Sequence, residues 1–215
     1  MHSDKTGGAF WESFAPRYDR FMRRLGRGYQ QLTERICAAV RAESRVVELA
    51  TGTGLIALAI APRVKSVVAI DLSPAMISEA RDKAAAAAVA NADFRVADAT
   101  DTGLPAHSAD VVIACNVLHV MPDPERLVRE ILRIVKPDGM ALVASYCHGQ
   151  SVFTRAVSAL MSVRGFVAYH KWSVEGLRAF LRANGLRVES EAVIRGVIPM
   201  LYAQARGRNT GDDSR

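Results

Sequence analysis

Cysteine is scarce in this chain, aromatic residues are few, and no apolar run is long. The 215 residues hold three cysteines, Cys37, Cys115 and Cys147, far apart and without CxxC spacing. That pattern argues against a disulfide framework and a structural zinc site and leaves reduced thiols. No segment approaches the roughly 18 uninterrupted apolar residues that a membrane span needs. The N-terminus also lacks a charged stretch followed by an apolar run, so neither signal peptide nor spanning helix is expected and the cytoplasm is the default location. The net charge of +6 could attract nucleic acid, but the arginines spread along the whole chain and no aromatic and basic residues alternate as a stacking platform. Nucleic acid is therefore discounted as a partner. What is present, 50% hydrophobic and 23% charged residues, suffices for one domain with a full core.

The most informative segment is 46–57, Val-Val-Glu-Leu-Ala-Thr-Gly-Thr-Gly-Leu-Ile-Ala. An apolar strand ends near an acid, and a glycine turn then opens a helix, the layout of a nucleotide-cofactor site. A second apolar run, 67–70, ends at Asp71, 19 residues after Gly52, where such folds place a carboxylate for ribose. Residues 52–57 also satisfy the G-x-G-x-x-A dinucleotide fingerprint, so a NAD-dependent oxidoreductase is the alternative of another class. Electrostatics separates the two. A pyrophosphate would be repelled by Glu48, whereas a cationic sulfonium and ammonium would be favoured by it, with backbone N–H groups left for a carboxylate.

The chain resembles the class I S-adenosylmethionine-dependent methyltransferases, in particular the broad group that includes ubiquinone and menaquinone biosynthesis methyltransferases. The likeness runs from about residue 10 to residue 206. It rests on Glu48-Leu49-Ala50-Thr51-Gly52-Thr53-Gly54, Asp71-Leu72-Ser73-Pro74-Ala75-Met76, Ala97-Asp98-Ala99, Asn116-Val117-Leu118-His119 and residues 132–139, Leu-Arg-Ile-Val-Lys-Pro-Asp-Gly. Ala50 departs from the family's more frequent glycine. A small change in the turn with intact binding is expected, since only a position needing φ > 0 would forbid alanine. The amino-methylation signature Asn/Asp-Pro-Pro-Tyr is absent after the fourth strand.

Apolar runs at 46–49, 67–70, 94–97, 111–115 and 140–144 alternate with helical stretches near 55–62, 74–90 and 124–136, which suits a parallel sheet covered on both faces. Ser73-Pro74 reads as an N-cap and first helical residue, and the helix is expected to continue through the alanines at 84–88. Segments 187–193 and 200–205 are joined too closely for a helical crossover and suggest an antiparallel hairpin. The resemblance implies that the last strand is inserted antiparallel. The expected fold is α/β: a Rossmann-like seven-stranded sheet with helices on both faces, an antiparallel last strand and an N-terminal helical lid. One domain spans 1–206, with the lid at 1–45, a cofactor-binding core at 46–145 and a lid insert at 149–172. A tail at 207–215 reads as disordered.

Sites in such sheets gather beyond the carboxyl ends of the strands. The resemblance implies S-adenosylmethionine as cofactor, with Glu48, Ala50, Thr51, Gly52 and Gly54 as the methionine-side cradle, Asp71 on the ribose and Asn116 beside the methionine part. It further implies that Asp98 accepts from the adenine amino group, Ala99 offers its N–H to the ring, and Leu72 and Met76 sandwich the base. Its Ala-x-x-Tyr-Asp element is present at 15–19 and puts Tyr18 on the cofactor carboxylate. Methyl transfer mainly requires collinear alignment, and only a nucleophile that must lose a proton needs a base. His119 is the best placed candidate for that role, against a packing or cofactor-lining one. Tyr146, His148, Tyr169 and His170 are candidate substrate contacts.

The apolar residues Val152, Phe153, Ala156, Val157, Leu160, Met161 and Val163 fall at helical spacing within 150–166. They read as a lid helix over the substrate or as one thickening the core. Near the N-terminus Phe10, Trp11, Phe14, Tyr18, Phe21, Met22 and Leu25 interleave with Arg17, Arg20, Arg23, Arg24 and Arg27, and Pro16 is expected to break the helix and start a second. A basic, half-apolar helix also suits peripheral contact with an anionic membrane at the inner surface. The expected activity is methyl transfer to an N, O, S or C nucleophile of a small or lipid-like molecule, a phospholipid headgroup or quinone at a membrane surface being one variant. The acceptor and the oligomeric state stay open.

Overall fold

The computed structural model describes residues 8–24, 27–162 and 166–207. Its centre is a seven-stranded sheet of β1 (Arg45–Leu49), β2 (Ser66–Asp71), β3 (Ala92–Val96), β4 (Ala109–Cys115), β5 (Val135–Tyr146), β6 (Leu186–Ile194) and β7 (Met200–Gly207). The order is β3-β2-β1-β4-β5-β7-β6. β1 pairs in parallel with β2 and β4, whereas β7 is antiparallel to both its neighbours, β5 and β6. Because the chain leaves β1 toward β2 and returns on the other side at β4, the β1/β4 boundary is the topological switch point, where a crevice opens at the carboxyl ends.

Each face of the sheet is covered, as its apolar strands require. On one face α2 (Arg27–Ala39), α3 (Leu55–Ile60) and α4 (Pro74–Ala86) bury Leu32, Ile36, Ile56, Ile60 and Ile77 against Val46, Val67, Val111 and Ile113. On the other, α5 (Pro124–Ile134) and α7 (Val174–Ala183) bury Leu127, Ile131, Leu177 and Leu181 against Val47, Val112 and Val143. Each such fully buried Leu or Ile contributes about 2 kcal/mol relative to leaving it in water.

Local chemistry sets several ends. Ser73 Oγ accepts from Met76 N at 3.1 Å, the cap expected from Ser-Pro. α4 then stops at Ala86, short of the expected extent, because Ala88 turns left-handed at φ +52° and Val89 N donates back to Ala84 O at 2.9 Å. That is a Schellman ending made with alanine. β5 begins at Val135, before the expected residue 140, and its register against β4 shifts between Val135 and Met140. Gly207, expected in the tail, pairs with Leu186; residues 208–215 lie outside the described ones.

Two expectations are overturned. Pro16 does not break the N-terminal helix: α1 runs unbroken over Gly8–Arg24 with Pro16 inside it. Tertiary bonds hold it on both sides of the proline. Glu12 accepts from Ala75 N at 3.2 Å, and Asp19 accepts from Thr53 Oγ1 at 2.5 Å and pairs with Lys83 at 2.7 Å. They offset the hydrogen bond that proline removes. Leu25 and the Arg24 side chain lie outside the described residues.

The second correction concerns one of the two readings of 150–166: the helix is present as α6 (Val152–Ser162), but it does not thicken the core. Its apolar series does not face inward: Val152, Phe153 and Leu160 are 84%, 65% and 69% exposed, while Thr154 and Ser158 are buried. Ser151 N donates to Thr154 Oγ1 at 2.9 Å and Thr154 N to Ser151 Oγ at 3.1 Å. This reciprocal cap fixes the rotational phase, so that position 154 and, one turn on, position 158 point into the protein. Val163 and the Met161 side chain lie outside the described residues.

Candidate functional site

At the switch point the turn after β1 bends through left-handed backbone at three positions, Ala50 (φ +56°), Gly52 (φ +57°) and Gly54 (φ +75°). Ala50 therefore occupies the conformation that favours glycine, at a cost of about 1–2 kcal/mol. The substitution in the motif is tolerated but strained, a larger departure than the small change expected from sequence. Across the crevice Asn116, the first residue after β4, is left-handed as well, at φ +58°. Strained backbone of this kind concentrates at functional sites. Gly54 has a further reason to be glycine, since a Cβ there would stand 2.7 Å from the Phe94 ring.

Asp71 ties β2 to this turn. Its Oδ2 accepts from Gly52 N at 2.7 Å and its Oδ1 from Ser73 N at 2.9 Å. Burial raises its carboxyl above the usual range, and these N–H groups pull it back. Glu48 lies beneath the turn, buried, with Thr51 Oγ1 donating to Oε2 at 2.6 Å. Burial pushes its carboxyl up to about 8. The acid read as a standing negative charge is thus held mainly protonated at neutral pH until a cation favours its ionised form.

The cavity at the crevice measures about 330 Å³ and brings together Tyr18, Ala50, Gly52, Asp71, Leu72, Met76, Asp98, Ala99 and Asn116. Glu48, Thr51 and Gly54 support it from behind rather than lining it. Asp98 lies at the rim, its Oδ1 accepting from Thr100 N at 2.7 Å and Thr100 Oγ1 at 2.8 Å. Asn116 N donates to Ala144 O at 2.7 Å, and Asn116 Oδ1 is buried with no hydrogen-bond partner. Tyr18 reaches over the turn, within 3.7 Å of where a Gly52 side chain would begin. The sequence reading missed Trp11, Glu12, Val120, Met121 and Arg126, which also line the cavity. Trp11 was within reach, because it lies seven residues before Tyr18 and so shares its helix face. Met121 and Arg126 carry no comparable signal.

The remaining candidates fall outside that cavity. His119, Tyr146 and His148 form a separate cluster: the His119 and His148 rings lie 5.1 Å apart, and Tyr146 lies 5.9 Å and 6.3 Å from them. Phe166 closes over both histidines at 6.0 Å and 5.8 Å and meets Trp11 at 6.1 Å. His119 Nδ1 is already engaged with Ser145 Oγ at 3.0 Å. Burial lowers the His119 imidazole to about 3 and that of His148 to about 4, so both are neutral at pH 7. Tyr169 is exposed, and His170 stacks on Trp172 at 4.8 Å while its backbone N–H donates to His119 O at 3.2 Å.

A family model described as a methyltransferase domain matches residues 47–143. The chain is 30% identical over 150 residues to the uncharacterized methyltransferase YcgJ of Bacillus subtilis (strain 168), a match covering 69% of this chain and 59% of that protein. It is 33% identical over 150 residues to the demethylmenaquinone methyltransferase of Clavibacter sepedonicus, covering 67% and 60%. It thus spans about six-tenths of the length of these curated relatives. The crystal structure of YcgJ superimposes with a TM-score of 0.72 at 19% identity, over 84% of this chain and 99% of the other. Motif order, strand order and these matches together support a class I S-adenosylmethionine-dependent methyltransferase.

Proposed function

We propose that this chain is an enzyme that transfers the methyl group of S-adenosylmethionine to an N, O, S or C nucleophile on a small or amphiphilic molecule. The observation that carries the reading is Asp71 at the end of β2, hydrogen-bonded to Gly52 N in the neighbouring turn, with one cavity joining the carboxyl ends of β1 to β4. The residues fit the cofactor. The unpartnered, buried Asn116 Oδ1 suits an ammonium donor, and each Asp71 oxygen keeps a lone pair for a ribose hydroxyl. Asp98 and Ala99 would take the adenine edge, Leu72 and Met76 its faces, and Tyr18 with the backbone of Ala50, Thr51 and Gly52 the carboxylate end. Glu48 below and Gly54 at the start of α3 would support the cradle. When bound, the cofactor supplies a methyl group activated by a sulfonium. α1 and the segment 149–172 would cover the site.

Calorimetry of the purified chain with S-adenosylhomocysteine and with NAD tests this. Binding of the first in a one-to-one ratio is expected. Binding of NAD alone would favour the oxidoreductase reading and discard ours.

The outward apolar face of α6 supports a second reading, that the acceptor is lipid-like and reached at an anionic bilayer. Val152, Phe153 and Leu160 would enter the interface, with exposed Arg17, Arg20 and Arg23 of α1 meeting the headgroups. The name of the menaquinone-pathway relative is consistent with such a substrate. Among the described residues no helix is long and apolar enough to cross a membrane, so the contact would be peripheral. Sedimentation with phosphatidylglycerol vesicles should bring the protein down, and Phe153→Asp with Leu160→Asp should release it. Equal sedimentation of wild type and double variant would remove α6 from the contact.

A further inference from the structure

One face of α1 forms a wall of the cavity. Gly8, Trp11, Glu12 and Ala15 follow the i, i+3, i+4, i+7 spacing of a single helical stripe, which Tyr18 continues; all but the buried Ala15 line the cavity. Tyr18 stands over the Gly52 turn, and Trp11 braces it edge-on at 6.4 Å. Glu12 meets the cavity at its other end. Six residues of helix, about 9 Å, carry the wall from Tyr18 beside Gly52 to Glu12 beside Ala75. Asp71 lies between those ends, bonded to Gly52 N on one side and to Ser73 N on the other.

The Glu12 carboxylate is loosely held. Its two oxygens stand 3.2 and 3.5 Å from Ala75 N at the start of α4, whereas Asp71 is 2.7 and 2.9 Å from its donors, the usual range of a charge-assisted bond. Among the described residues Glu12 has no ion pair, unlike Asp19 of the same helix, which has Lys83. It does act on Asp71. Burial raises the Asp71 carboxyl, the N–H groups of Ser73, Gly52 and Leu72 draw it back, and the Glu12 charge pushes it up again. Two carboxylates facing one cavity repel unless donors come between them. A vicinal diol supplies such donors, two hydroxyls on adjacent carbons with one hydrogen bond to give from each. The cations of the cofactor belong at the opposite end, by Asn116 and Glu48, so the group between Asp71 and Glu12 is the ribose.

We infer that Glu12 is a second ribose-binding carboxylate, taking one hydroxyl of the 2′,3′-diol from the α1 side while Asp71 takes the other, so that the cofactor itself fastens the lid. This rests on the methyl-transfer reading, in which Asp71 alone holds the ribose. With the diol in place, α1 gains a tie beyond the Glu12–Ala75 and Asp19–Lys83 links that it has without cofactor.

Calorimetric titration of the full chain with S-adenosylhomocysteine and with its 2′-deoxy and 3′-deoxy analogues tests this. Glu12→Ala should weaken S-adenosylhomocysteine binding about tenfold, the worth of one charge-assisted hydrogen bond. It should weaken one of the two deoxy analogues by no more than about twofold, because the hydroxyl that Glu12 takes is already gone. Glu12→Gln still accepts from Ala75 N; its urea midpoint should equal that of the wild type, and its affinity should fall between wild type and Glu12→Ala, which separates binding from folding. Trypsin gives a second readout. Saturating S-adenosylhomocysteine should slow cleavage after Arg17 and Arg20, both exposed on α1, and slow it less in Glu12→Ala. An equal effect toward all three ligands, or equal protection of variant and wild type, overturns the inference and leaves Glu12 as a link between α1 and α4. A wild type that binds no S-adenosylhomocysteine overturns the methyl-transfer reading, and the inference with it.

Discussion

The two compartments at the carboxyl edge of the sheet are built on opposite rules. In the β1/β4 crevice the acids are already in use: Asp71 holds Gly52 and Ser73, Glu48 holds Thr51, and Asp98 holds Thr100. In the ring cluster His148 holds nothing. Groups fixed by their own backbone are preorganised and bind with little further ordering. An unsatisfied buried group is destabilising until a partner arrives. The first compartment is thus finished by the fold, whereas the second keeps a buried polar group without a hydrogen-bond partner.

That contrast can be broken by variants that strike one compartment only. The largest effect is expected at Gly149, where a Cβ would stand 1.9 Å from Lys171 O, immovable backbone beside the ring cluster. Gly149→Ala should cost about 3 kcal/mol in urea unfolding yet leave S-adenosylhomocysteine affinity of the folded fraction near wild type. Equal loss of affinity would mean that the compartments are one unit.

Asp71→Ala tests the other side. Calorimetry should show S-adenosylhomocysteine binding weakened by about 1–3 kcal/mol with the fold retained. An unaltered affinity would take Asp71 out of the crevice.

Acid sharpens the comparison. His119 and His148 are depressed to about 3 and 4 from an ordinary 6.5, so the stability that their neutral forms contribute is present above pH 6.5 and lost as pH falls toward 4. The unfolded chain takes up protons that the folded one refuses, at about 2 kcal/mol for each histidine by pH 5. Glu48 acts with the opposite sign. Raised from 4.5 to about 8, it contributes stability that is present below 4.5 and lost as pH rises to 8. Urea midpoints across pH 4–7 should therefore fall less steeply on acidification in the His119→Gln, His148→Gln double variant. Parallel curves would show that the pair is not buried as described.

The smallest effect is a gain. Ala50→Gly removes the left-handed alanine and should stabilise the protein by about 1 kcal/mol, read as a higher urea midpoint. No gain would mean that the turn relaxes to suit alanine.

Much of the crevice was legible because its signals are local. An apolar run ending in Asp71, the Ser73 cap and the glycines at 52 and 54 each report a backbone geometry that few other residues support. The cluster was legible only as a set of names. Tyr146 and His148 stand out as polar residues past a strand, but nothing local says that both nitrogens of His148 lack partners while His119 has Ser145. The same limit explains α6. Its helical period is plain from sequence, yet which side faces inward depended on the Ser151–Thr154 cap, and the inward side is the polar one.

By itself the sequence determined the strand and helix order, the antiparallel ending and the cofactor turn, since periodicity, capping and glycine chemistry act between residues a few positions apart. Only the tertiary structure decided that α1 runs unbroken through Pro16, that Ala50 is strained and that Trp11 lines the cavity while meeting Phe166. Those outcomes depend on groups distant in the chain, such as Glu12 with Ala75 and Asp19 with Lys83, whose interaction exists only once the sheet has brought them together.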